Sequence, residues 1–105
     1  MIDLLGEGHG LTTFTVNVKT VTTAGVAESL ASGFTPAKYI MLQANPENTL
    51  RAAVGDDDVD VYIATVRGLL LYPGERSTWI PITDLADVYV DVYADGEKVI
   101  YMFVN

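Results

Sequence analysis

The sequence predicts an all-β fold: a single antiparallel β-sandwich, jelly-roll-like, of seven or eight strands. Three observations predict it. Apolar and polar residues alternate with period two over several segments, as on strands with one buried face. Turn-forming Gly, Pro, Asn and Asp residues punctuate the chain roughly every 8–12 residues, the spacing of sandwiches and barrels. No segment sustains a helical period. The length of 105 residues sets one domain as the expectation.

Residues 1–10 hold Gly6, Gly8 and Gly10 and the sole histidine, His9. They are expected to form a flexible N-terminal arm, with the sandwich occupying residues 11–105. Phe14, Val16 and Val18 then alternate with Thr13, Thr15, Asn17 and Lys19, which predicts a half-buried first strand with the apolar side inward. Residues 24–32 place Val26 and Leu30 at helical spacing, but Gly25 and Gly33 flank them. An extended segment turning near Gly33 is preferred to a short helix. Residues 37–43 include Tyr39-Ile40-Met41-Leu42, apolar on both faces, as in a central strand. A loop at 44–48 and a short strand at 50–54 follow.

Residues 56–60 read as an exposed acidic loop and 61–66 as a β-rich run closed by Arg67-Gly68. Residues 69–72 form a strand ended by the Pro73-Gly74 turn. A strand over 77–82 carries Trp79 and Ile80, with Pro81 marking an edge position. After a turn at 84–87, Val88, Val90 and Val92 alternate with Tyr89, Asp91 and Tyr93, and Val99, Tyr101 and Phe103 with Ile100, Met102 and Val104. Asp95-Gly96 between them predicts a type I′ hairpin. The expected core is Phe14, Val16, Val18, Tyr39, Met41, Val88, Val90, Val92, Val99, Tyr101 and Phe103.

Composition restricts function. Half the residues are hydrophobic, 19% are charged, and the net charge is −8, from 6 Lys+Arg against 14 Asp+Glu. Such a chain is not intrinsically disordered. Its apolar content exceeds what one thin sandwich hides, so self-association or a docked partner is expected. Cations scattered singly on an acidic chain speak against nucleic acid and against anionic membranes. Without cysteine there is no disulfide, thiolate or Cys-ligated zinc chemistry. The N-terminus lacks the basic and apolar regions of a signal peptide, and no apolar run approaches the roughly 20 residues of a spanning helix.

Chemistry-bearing residues are few. A catalytic His needs rigid placement beside a nucleophile and a carboxylate, which a glycine-flanked His9 does not offer. Asp56, Asp58 and Asp60 have the alternation of an EF-hand loop, but Val61 stands where that turn needs Gly and Arg67 where it needs Glu. The loop is expected to be solvated; a looser calcium site is the alternative. Two carboxyls facing across a cleft, as glycosidases require, cannot be assigned. No catalytic residue, metal ligand or cofactor is expected. Tyr89 and Tyr93 share a strand face roughly 13 Å apart, which suits half-buried strand residues, a protein interface or a sugar-binding platform.

The segments Val21-Thr22-Thr23-Ala24-Gly25, Lys38-Tyr39-Ile40-Met41-Leu42-Gln43-Ala44 and Val54-Gly55-Asp56 come first in an order of motifs. Leu71-Tyr72-Pro73-Gly74-Glu75, Leu85-Ala86-Asp87-Val88-Tyr89-Val90 and the closing strands to Tyr101 continue it. Over residues 11–104 this order resembles small structural proteins of tailed bacteriophage particles. Residues 61–67 depart from the likeness in being longer and more apolar. The resemblance implies a non-enzymatic virion protein, a capsid decoration or cement protein bound to the assembled head shell. It also admits a neck, tail, baseplate or head-fibre position; a small carbohydrate-binding module is the reading from another class. The implied partners are the major capsid protein or other virion subunits. The implied location is the virion, with the host cytoplasm during assembly. A homo-oligomer is expected, a trimer before a dimer. Candidate interface residues are Ile2, Leu4 and Leu5 of the arm, with Gly6 to Gly10 as hinge, together with Tyr89 and Tyr93.

Overall fold

A computed structural model describes residues 14–62 and 67–105. Among the described residues eight strands run in order: β1 (Phe14–Thr20), β2 (Glu28–Ser29), β3 (Tyr39–Ala44), β4 (Ala52–Gly55), β5 (Leu69–Leu71), β6 (Ile80–Pro81), β7 (Tyr89–Val92) and β8 (Lys98–Val104). They build two four-stranded antiparallel sheets, ordered β1-β8-β3-β6 and β2-β7-β4-β5. The pairing is nested. β1 pairs with β8, β2 with β7, β3 with β6 and β4 with β5, as in one long hairpin. Wrapping that hairpin over itself adds the β3–β8 and β4–β7 ladders. This is the jelly roll, with two interlocked Greek keys.

The core lies between the sheets. Ile40, Leu42 and Ala44 of β3 and Val99 and Tyr101 of β8 face Ala52 and Val54 of β4, Leu71 of β5 and Val90 and Val92 of β7. Val21, Leu30 and Leu85 close it from the connections. Each large side chain contributes roughly 1.5–3 kcal/mol by leaving water. Tyr101 stacks on Phe103 with centroids 6.1 Å apart. Burial pushes the Tyr101 phenol above its ordinary value, partly opposed by a hydrogen bond with Asn17. The turn at 84–87 is a 3-10 turn, Leu85–Asp87, capped by Asp84, whose Oδ1 accepts from the N–H groups of Ala86 (2.9 Å) and Thr35 (2.8 Å).

Several expectations are corrected. β7 and β8 do not form a hairpin; they belong to different sheets. A type I′ turn needs positive φ at both central residues. Here Gly96 has φ +83°, and no non-glycine residue among those described is positive, so Asp95 is not. The φ values fit a type II turn, closed by the Glu97 N–H donating to the Ala94 carbonyl at 3.2 Å. The turn carries the chain across the sandwich and is anchored by the Gly96 N–H on the Val21 carbonyl (2.8 Å). β6 is shorter than expected but does lie at a sheet edge, where Pro81 withholds no ladder hydrogen bond. Of residues 24–32, only β2 pairs as a strand.

The largest correction concerns β1. Phe14, Val16 and Val18 are 45, 55 and 48% exposed and lie outside the core. They stand opposite Val104, Met102 and Ile100, whereas Thr15, Asn17 and Lys19 stand opposite Phe103, Tyr101 and Val99 on the inward side. The layer facing β1 explains the inversion. It is only the two-residue β2 and its flanking loops, too little to bury either row of β1: Thr15 and Asn17 are exposed as well, and only Lys19 is half-buried. Lys19 Nζ reaches Glu28 across the sheets at 3.2 Å. Tyr39 and Met41, also expected inside, share the outer face of β3 and are half-buried. The arm at 1–10 and residues 63–66 of the β-rich run lie outside the described residues.

Candidate functional site: the two outer sheet faces

The outer face of the first sheet is apolar. Phe14, Val16 and Val18 of β1, Ile100 and Met102 of β8, and Tyr39 and Met41 of β3 occupy it in register, with Pro81 beyond Tyr39; Val104, paired with Phe14 and Tyr39, is buried. None of the described Asp or Glu residues stands at these positions, although the chain carries 14. At one end stand Lys98, opposite Thr20, and Arg76, bridged to Gln43, with Glu75 beside them, its carbonyl accepting the Ala44 N–H at 3.0 Å. A strand normally turns its apolar row toward a core. β1 turns its row toward solvent.

The outer face of the second sheet is covered by the chain itself. Residues 56–62 fold back over it, so that Val59 and Val61 pack on Ala53, Leu70, Tyr89 and Ala27 as a second small core. The pin is Asp91 of β7, fully buried on this side. Its Oδ1 accepts the N–H groups of Gly25 (2.8 Å) and Val92 (2.9 Å), and its Oδ2 that of Val61 (3.1 Å). The buried Arg51 donates Nε–H to the Val61 carbonyl at 2.9 Å and lays its guanidinium 5.6 Å from the Tyr93 ring centre. A charged buried side chain is tolerated only when so engaged.

Tyr89 and Tyr93 therefore do different things. Tyr89 is half-buried in the small core. Tyr93 is 43% exposed and meets Tyr62 edge-on, with centroids 5.8 Å apart and planes 63° from parallel. They do not make one flat, open platform. Ile2, Leu4 and Leu5 lie outside the described residues.

Asp56, Asp57 and Asp58 bring one carboxylate oxygen each within 4.8 Å of one another, all exposed. The cluster already holds a cation of its own chain. Arg67 Nη2 lies 3.3 Å from Asp56 Oδ2. That guanidinium, with the Asp58 N–H, holds the Asp56 carboxyl below its ordinary range, and Asp56 in turn raises Arg67. The acidic loop is thus exposed, as expected, and organised by internal bonds.

The described residues line two concavities. One, of about 580 Å³, is lined by Thr15, Phe34, Pro36, Lys38 and Phe103 among others. The other, about 170 Å³, opens between the β5 and β6 edges and is lined by apolar side chains including Leu42, Leu69 and Ile80. Neither brings together an acid, a base and a nucleophile.

No protein-family model matches the chain, and no curated protein is significantly similar to it. The outer face of the first sheet is not visible as a site in the sequence, because the alternation of β1 points its apolar row to the core. The available signal was β8, where Ile100, Met102 and Val104 are as apolar as Val99, Tyr101 and Phe103. A strand apolar on both sides needs cover on both sides.

Proposed function

We propose that this chain is a non-enzymatic structural protein of a tailed bacteriophage particle, a decoration or cement protein that binds the assembled head shell. The observation that carries the reading is the outward apolar row of β1, continued across β8 and β3 without a carboxylate. A domain with an apolar sheet face outside its core is suited to bury that surface against other subunits. The jelly roll supports the reading by analogy, since viral shell proteins use it, as do lectins and cupins. The acidic remainder suits a protein displayed on a particle, where like charge keeps particles apart. The motif order over residues 11–104 is the basis for choosing a phage particle.

The test is co-sedimentation of the purified chain with undecorated phage heads. Saturable binding at a fixed ratio to shell subunits supports a decoration role. Binding to isolated tails or necks instead moves the protein to another virion position. Failure to bind any particle component, with retention on a glycan array, replaces the reading with a carbohydrate-binding module.

A further inference from the structure

We propose that the cavity of about 170 Å³ between the β5 and β6 edges is a binding site for a small neutral hydrocarbon, about the size of one six-carbon ring. The proposal goes beyond the particle reading and does not rest on it.

The cavity is backed by the main core. Its walls are Ile40 and Leu42 of β3, Val54 of β4, Leu69 of β5, Ile80 of β6 and Val88, just before β7. Ile40 and Leu42 are sealed from solvent, whereas Leu69 at the opening is 49% exposed. The space exists because both sheets end here in short strands, β5 with three residues and β6 with two. Facing sheets stand about 10 Å apart, and the few side chains of such edges do not fill that gap.

The lining selects the chemistry. Among the described residues that form it, none carries a polar side chain. A hydroxyl, amide or charge drawn inside would give up its water and find no partner. A water molecule has the same difficulty, since it needs two to four polar neighbours. A hydrocarbon forfeits no hydrogen bond, and it supplies contact atoms to walls that otherwise face a void. Volume selects the size. An apolar cavity of about 150 Å³ in a protein core accepts benzene, and this cavity is of the same order. The opening beside Leu69 lets a ring enter without unfolding the sandwich. A neutral ligand also escapes the repulsion that a chain of net charge −8 exerts on anions.

Thermal unfolding of the full chain with benzene, and separately with 1,4-dioxane, tests this. Millimolar benzene should raise the melting temperature by about 2 °C or more, because it binds the folded state alone. Dioxane is a six-membered ring with an oxygen on each side, so one oxygen must enter the cavity unpaired. It should bind at least about tenfold more weakly. Val88→Phe and, separately, Ile80→Phe place a ring of the protein's own in the space and should each abolish the benzene shift. Methyl NMR of the parent chain locates the ligand whether or not these variants fold. Benzene should move the methyl signals of Leu69, Ile80 and Val88 and leave those of Val16 and Val18, on the outer face of the first sheet, in place. No rise with benzene, an equal rise with dioxane, a rise that persists in the folded phenylalanine variants, or methyl shifts centred on Val16 and Val18 would each overturn the proposal.

Discussion

Asp91 reaches from the outer side of β7 to accept the Val61 N–H at 3.1 Å, and so ties residues 56–62 to a sheet with which they share no ladder. The same carboxylate holds Gly25, so one side chain fixes two connections. Arg51 takes the opposite side of the same residue, at the Val61 carbonyl. These bonds cover one sheet face of the protein from within, whereas the outer face of the other sheet carries the exposed row of β1.

Asp91→Asn should therefore destabilise more than its small change in shape suggests. An amide has one acceptor oxygen where the carboxylate uses two, and one backbone N–H would meet an NH₂ group. A loss of about 1–3 kcal/mol is expected for a buried donor left unsatisfied. Urea denaturation measures it. An unchanged midpoint would show that Asp91 does not hold the covering loop.

Inside and outside can be told apart on adjoining strands. Leu42→Ala empties a fully packed position of β3 and should cost about 2–5 kcal/mol. Val16→Ala, on a residue 55% exposed, should change stability by no more than about 0.5 kcal/mol at concentrations where the chain is monomeric. Equal losses would mean that β1 packs inward after all.

Acid should weaken the link between the sheets at Glu28. Burial pushes its carboxyl upward, but the N–H groups of Thr23 and Thr22 and the Lys19 ammonium outweigh that and hold it below the ordinary 4.5. A depressed folded-state value contributes stability above the unfolded value, and the contribution is lost as pH falls through the folded one. Stability from this group should be flat near neutrality and decline once pH drops below 4.5. Glu28→Gln should lower stability at pH 7 and flatten that part of the acid limb, as read from unfolding midpoints across pH.

Gly68→Ala should be among the most damaging exposed substitutions. Gly68 has φ +119°, and an added Cβ would meet the Val54 carbonyl oxygen at 2.7 Å and Val59 Cγ2 at 2.6 Å. Positive φ is costly for alanine, and here the clash falls partly on backbone. A loss of about 2 kcal/mol or more is expected. Thermal melts compared with Gly33→Ala, where nothing lies within 4 Å, isolate the effect.

Calcium should do little. Arg67 already sits on Asp56, and the three carboxylates of the cluster are exposed. Millimolar calcium is expected to shift the melting temperature by less than about 1 °C, the result when ligand does not favour the folded state. A rise of several degrees would make residues 56–58 a cation site.

The fold was legible where pattern and burial coincide. Val90, Val92, Val99 and Tyr101 alternate in the chain and are buried in the sandwich. Pairing was not legible from local signals. Asp95-Gly96 is a turn in both the reading and the structure, but a turn does not state which sheet the next strand joins. That choice is made by the ladders of β8 with β1 and β3, contacts remote in sequence. Facing was not legible at β1 for a related reason. Period two separates the sides of a strand without saying which side meets a second layer, and the layer opposite β1 is too short to bury Phe14, Val16 and Val18. Asp91 was hidden because a carboxylate between two valines reads as a solvent-facing residue until the loop that covers it is in place.

The nested pairing of strands also sets an order in time. β1 finds its ladder partner only when residues 98–104 have been made, roughly eighty residues after its own synthesis. At about 5–20 residues per second this is a wait of roughly 4–16 s on the ribosome. β3 waits for the same strand, and β2 for β7. β4 can meet β5, and β3 can meet β6, earlier, but the first sheet joins β1 to β3 only through the last strand. The row of Phe14, Val16 and Val18 is thus bare on a nascent chain long before it is framed by a sheet. In a cell making many copies at once, sticky first strands could meet one another before their own folds close, so crowded synthesis is the stage at which this protein is most exposed to mispairing.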